Sequence, residues 1–257
     1  MFVREKSIVR QIWGNSDTVL FIFAGASAEF ALNRAVDWLY FTGKLPADPI
    51  GRLFSTVRYA QLIVFQEDHP ALASIDTITA AHKAVEMSRG SSIPEAAYRD
   101  VLFMLIDYSI RSFELLNRPL SQAEKEEVFN VFYRVGDRMG IENLPEDWKS
   151  YQFMRDDHLK NHLVNGPLTK DLYQQYRKHL GGVRYWILVQ VQGLLIPATV
   201  KKLMGLSDKT WFIPAIWGYK ILRSLKLQQV IKSILLPATY NEQIKALDQT
   251  AWTRPQR

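Results

Sequence analysis

Apolar positions along this chain recur at helical spacing, and helix starts and stops punctuate them from end to end. The stretch PIGRLFSTVRYAQLIVF, preceded by Asp48, predicts a helix with an aspartate cap and a proline in its first turn. Arg52, Thr56, Tyr59 and Ile63 then share one face. After a charged break (QEDHP), ALASIDTITAAHKAVEMSRG predicts a second helix. Its inward stripe is Ile75, Ile78, His82 and Val85. Ser92 and Pro94 precede a long apolar segment, Glu95 to Leu116. Ser121 with Glu124 forms a capping box for a helix ending near Gly140. Pro145, Glu146 and Asp147 open another that runs toward Val164 and is stopped by Gly166-Pro167. Thr169 caps the next, which ends at Gly181-Gly182. Val183 to Leu195, a short basic helix over Pro197–Leu206, and the aromatic and lysine-bearing Trp211–Leu236 complete the pattern. VLFIFAG, from Val19, is the one run compatible with a strand, and the Ala, Leu and Glu around it favour helix. The pattern predicts an all-α protein, a single domain over residues 1–257 built of roughly ten helices.

Composition narrows the function more than the fold. Hydrophobic residues make up 47% and charged residues 23% of the 257, a soluble globular balance. The formal charge of +6 comes from scattered Lys and Arg, without the dense run that tracks a phosphate backbone, so no nucleic-acid partner is expected. The chain has no cysteine, which excludes disulfides, zinc–thiolate sites, iron–sulfur clusters and thiol nucleophiles. No run approaches the roughly 20 apolar residues of a membrane span. MFVREKSIVRQIWG lacks the apolar core and cleavage site of a secretion signal. The expected location is cytoplasmic, with membrane association through residues 197–237. That segment combines Lys and Arg with Trp, Tyr and Leu at helical spacing, as interfacial helices do.

Few residues suggest chemistry. His82 on an apolar stripe reads either as a satisfied core histidine or as a haem-iron ligand with its second ring nitrogen fixed by an acceptor. Periodicity alone leaves the structural reading ahead. Arg52 and Thr56 are a rigid cation and a hydroxyl on a facing stripe. His158 and His162 form an HxxxH pair that, with a carboxylate, suits a non-haem metal. Its surroundings, RDDHLKNH, read more readily as a solvated helix face. Asp107 and Glu114 are carboxylates in apolar surroundings, with Arg111 within reach of both. No GxSxG, P-loop, GxGxxG or HExxH occurs.

RLxxT (Arg52, Leu53, Thr56) followed by ITxxHKxVE (Ile78, His82, Val85, Glu86) resembles the latex-clearing proteins and MpaB-type oxygenases. The resemblance continues through IPEAAYRDVLFMLIDYS, RPLSQAEKEEVFNVFYRVGDRMGI, LPEDW and LLIPATVKKLMGL, over residues 15–206. It implies a helical fold around a haem and apolar cavity, with one haem b. His82 would be the proximal iron ligand, with Arg52 and Thr56 at the haem as cofactor-binding and catalytic residues. The implied activity is a haem-dependent oxygenase that uses O2 on an apolar unsaturated molecule, isoprenoid or lipid-like, with oxidative C=C cleavage. Two departures stand out. Rubber-cleaving members carry a lysine ligand where this chain has Ser55, and their catalytic glutamate has only Asp37 and Glu29 as upstream counterparts. The missing secretion signal argues against an insoluble extracellular polymer as substrate. A competing reading is a haem-free helical protein that binds or carries a lipid at a membrane surface. A third is a di-metal site through His158 and His162.

Overall fold

The computed structural model describes residues 1–206, 213–224, 237, 240 and 242. Among these every regular element is a helix, and the one strand-type pairing is an isolated antiparallel bridge between Asn33 and Leu163. In chain order the helices are α1 (Ile8–Trp13), α2 (Ser16–Leu32), α3 (Asp37–Phe41), α4 (Lys44–Ala47), α5 (Pro49–Phe65), α6 (Asp68–Arg89) and α7 (Glu95–Leu116). They continue as α8 (Gln122–Arg138), α9 (Trp148–Asn161), α10 (Pro167–Leu195), α11 (Ala198–Met204) and α12 (Ile213–Ser224). The all-α expectation is met. Of the predicted segment Trp211–Leu236, residues 211–212 and 225–236 lie outside the described residues.

The ambiguous VLFIFAG run is the middle of α2, the central helix. Val19, Ile22, Ala28, Ala31 and Leu32 on it have no exposure, and a helix apolar on all sides must be surrounded by others. Its closest neighbour is α7. Gly25 makes that approach possible, since a Cβ there would lie 2.3 Å from the Tyr108 ring. Trp13 locks the N-terminal end: its indole N–H donates to Ser109 Oγ (3.2 Å), and its ring meets Phe23 and Phe132.

Local signals set most boundaries. Asp48 accepts from the Gly51 amide (2.8 Å) with Pro49 in the first turn of α5. Ser121 and Glu124 make a reciprocal capping box on α8. The charged break is shorter than the sequence suggests, because α6 already begins at Asp68 and only Gln66 and Glu67 remain between α5 and α6. Pro70 falls in its first turn, where a missing amide donor costs nothing. The segment of α10 is two helices, split at Gly181 (φ 75°, ψ 170°). They fold back on one another, for Tyr173 donates its hydroxyl to Gln192 Oε1 (2.9 Å) and its ring lies 6.4 Å from that of Tyr185. Gln192 in turn donates to Ser27 Oγ (3.1 Å), fastening this hairpin to α2.

Candidate functional site

Helices α5 and α6 pack together and present the expected polar residues on partly covered faces. Ile63 and Ile75 are buried, whereas Arg52, Thr56, Tyr59, Ile78, His82 and Val85 are half-buried. The stripe is therefore inward at one end and opens toward the other. His82 Nδ1 lies 2.9 Å from the Ile78 carbonyl oxygen, which can only accept, so Nδ1 carries the proton and Nε2 keeps its lone pair. Burial lowers the His82 pKa, and the nearby Arg52 cation lowers it further, which keeps the ring neutral. Its edge meets Tyr98 with ring centroids 5.3 Å apart. The Tyr98 hydroxyl donates to Glu86 Oε1 (3.2 Å), which also accepts from the Ile93 amide (2.7 Å). A cleft of about 240 Å³ opens beside the ring, lined by Thr79, His82, Lys83, Glu86, Glu95, Tyr98 and Met139–Ile141.

Arg52 donates to Ser55 Oγ (2.9 Å) and has no carboxylate partner among the described residues. Partial burial lowers its pKa, so this is a partly covered cation without a carboxylate counter-charge among the described residues. Thr56 Oγ1 donates to the Arg52 carbonyl (3.3 Å) and retains acceptor capacity. Ser55 donates back to the same carbonyl (2.7 Å).

A second, deeper cluster joins α2, α7 and α9. Glu29 has no exposure, and its carboxylate is gripped by both terminal nitrogens of Arg155. It also accepts from Tyr108 Oη (2.8 Å) and meets His158 Nε2 at 2.8 Å. Arg155 continues to Asp107 (2.9 Å), which Arg111 holds from its other side (2.9 Å). Burial pulls the Glu29 carboxyl upward, but Arg155 and His158 outweigh it and hold it at about 2. Around His158, burial opposes the charge while Asp100 and Glu29 favour it, and the balance raises its pKa. His162 Nδ1 lies 3.1 Å from Asp100 Oδ1.

This cluster corrects one expectation. The HxxxH face is only partly solvated: His158 is 1% exposed, and His162 lies at the edge. Tyr151, Arg155, His158 and His162 recur at helical spacing, so the buried stripe of α9 is itself polar. Asp107 and Glu114 are not buried together. Asp107 pairs with the two arginines, and Glu114 with Lys125 (3.1 Å) and the Leu120 amide. Sequence reasoning missed Glu29–Arg155 as a pair; the available signal was a lone carboxylate within the apolar run of α2.

Residues 10–222 match the family described as ER-bound oxygenase mpaB/B'/Rubber oxygenase, catalytic domain. The chain belongs to this family. No curated protein and no solved structure matches it. The family's described activity is that of an oxygenase, which implies O2, a small-molecule substrate and a metal or haem cofactor.

Within an mpaB/rubber-oxygenase domain the donors around His82 fit a haem. A neutral imidazole offers a free Nε2, and an uncompensated guanidinium suits a propionate. The 240 Å³ cleft does not contribute to that fit, being smaller than the roughly 300–1,000 Å³ of drug-sized ligand sites. Of the two upstream carboxylates, Glu29 is committed to Arg155, Tyr108 and His158. Asp37 is accessible, with a side chain 45% exposed that pairs with Arg89 (2.8 Å). Arg89 stacks on Trp38 at 4.0 Å.

Proposed function

We propose that the protein is a haem b-dependent oxygenase that uses O2 to cleave a carbon–carbon double bond in an apolar, isoprenoid or lipid-like molecule. The observation that carries this reading is the tautomer of His82: Nδ1–H is spent on the Ile78 carbonyl, and the neutral ring keeps Nε2 for iron. Haem, when bound, supplies the redox-active iron that activates O2. His82 Nε2 would hold the iron, and the backbone hydrogen bond to Ile78 fixes the ring's orientation. Arg52 would pair with an anionic group of the cofactor, a role open to a guanidinium without a carboxylate partner among the described residues. The Thr56 hydroxyl, one turn further along the same face, orients by hydrogen bonding. Ser55, in the place of the relatives' lysine ligand, is engaged with Arg52 and its carbonyl and would not replace that lysine as a ligand.

The apolar substrate class fits a chain that meets a bilayer without spanning it. No helix among the described residues is long and apolar enough to cross a membrane. Lys202 is exposed on α11 and Trp217 on α12, within the 197–237 segment. Lys226 and Lys232 of that segment lie outside the described residues. The family description itself names ER-bound members.

The test is absorption spectroscopy on purified protein reconstituted with haemin. The expected result is a Soret band in wild type that is lost in His82→Ala and weakened in Arg52→Leu. A wild type without a Soret band, yet sedimenting with anionic liposomes, would replace this reading with that of a haem-free lipid carrier.

A further inference from the structure

The buried face of α9 holds an arrangement that the haem reading does not use. Asp100 on α7 and His158 and His162 from α9 and its C-terminal cap bring one carboxylate oxygen and two ring nitrogens within 4.8 Å of one another. The two imidazoles are one helical turn apart, edge to face, with centroids at 5.6 Å. His158 Nδ1 is buried and makes no hydrogen bond, although Asp100 Oδ1 stands 2.8 Å away. The opposite nitrogen, Nε2, is tied to Glu29. A carboxylate thus holds the ring from behind and turns its nearer nitrogen toward the cluster, as second-shell carboxylates do for metal-binding imidazoles.

The other two ligand groups are oriented as well. Asn33 donates to Asp100 Oδ2 (3.0 Å), leaving Oδ1 turned to both rings. The Arg34 amide donates to the His162 carbonyl (3.2 Å), and the Val164 amide to the Leu32 carbonyl (2.7 Å). Those bonds and the Asn33–Leu163 bridge fix the backbone on both sides of the cluster before any ligand arrives.

We infer that Asp100, His158 and His162 bind a divalent first-row transition-metal ion. Two imidazole nitrogens and one carboxylate oxygen suit zinc or iron(II) and are too few and too nitrogen-rich for calcium or magnesium. Metal bonds of about 2.0–2.2 Å require only small rotations from the separations present. His162, with a side chain 33% exposed, gives the ion a way in and leaves a coordination position toward solvent. Asp157, 3.9 Å from His162 Nε2, adds negative charge. Arg155, the buried cation on the same helix, is already matched by Glu29 and Asp107. The site shares no side chain with Arg52, Thr56 and His82, and it stands whether or not haem binds there.

The competing arrangement is an imidazolium wedged between Glu29 and Asp100, which needs no metal. Tag-free, chelator-stripped protein titrated with zinc by calorimetry, and with cobalt(II) by visible absorption, separates the two. The expected result is one ion bound per chain, ligand-field bands with cobalt, and a higher Tm. His162→Ala, partly exposed and so compatible with folding, should bind at least about tenfold more weakly. His69→Ala, at an exposed histidine, should bind as wild type. Folded wild type that takes up no ion, or His162→Ala binding as tightly as wild type, would overturn the inference.

Discussion

Glu29 is a carboxylate with no exposure at all, satisfied by a guanidinium, a phenol and an imidazole. Removing one member of such a set leaves an uncompensated charge in the core. Glu29→Gln should therefore cost about 3–5 kcal/mol, read as a lower urea midpoint at unchanged m-value. Its titration gives the matching pH dependence. The folded carboxyl titrates at about 2 against an ordinary value of 4.5, so its stabilisation is complete above 4.5 and is lost as pH falls toward 2. Acid unfolding followed by circular dichroism should show this decline in wild type, and a smaller one in Glu29→Gln. None of it was legible from neighbours in the chain. The partner of Glu29 is 126 positions away, and RDDHLKNH reads as solvated until α9 is seen to turn that face inward. His82 was legible as a stripe residue. Its tautomer was not, because the backbone carbonyl that fixes it has no signature in side-chain type.

Elements were far easier to read, because caps are local chemistry. Asp48-Pro49, Ser121 with Glu124, and Asp147 each satisfy amides within three residues, and all three open helices where the sequence predicts them. Gly181-Gly182 was legible as a stop, but the fold-back that follows was not. With φ 75° and ψ 170°, Gly181 occupies a region that side chains avoid, so Gly181→Ala should destabilise by about 1–3 kcal/mol in thermal denaturation. Gly25→Ala tests a different cause. Its backbone is ordinary and the Tyr108 ring is the obstacle, so the added methyl should cost about 1–3 kcal/mol through overpacking. In a double-mutant cycle Gly25→Ala should cost less in a Tyr108→Leu background, itself destabilised by losing the bond to Glu29, than in wild type, whereas no core substitution should rescue Gly181→Ala.

At the scale of the whole molecule, two polar centres sit in one helical body. The half-buried face of α5 and α6 opens partly to solvent, while the α2–α7–α9 cluster is buried except at its His162 edge. That division suits a cofactor that must be loaded and a framework that must hold it. It also explains why class and family could be read from patterning and short motifs while the deeper site could not. The motifs lie within single helices, and the cluster draws on three. Haem loading should accordingly leave the cluster intact. Hydrogen exchange before and after reconstitution should show protection gained along α5 and α6, with α9 unchanged.

The grip of Arg155 on Glu29 also bears on how the chain is made. During synthesis α2 leaves the ribosome long before α9, and until α9 arrives its central carboxylate has neither counter-charge nor full cover. A fragment ending at Asp147 should therefore stay expanded and sensitive to protease, although it contains α7, the helix packed most extensively on α2. Adding residues 148–206, which bring Arg155 and the α10 hairpin that also packs on α2, should restore resistance. Completion of the protein would then be timed by its late helices, with Arg155 among their first contributions, and the nascent chain would remain uncommitted until they appear.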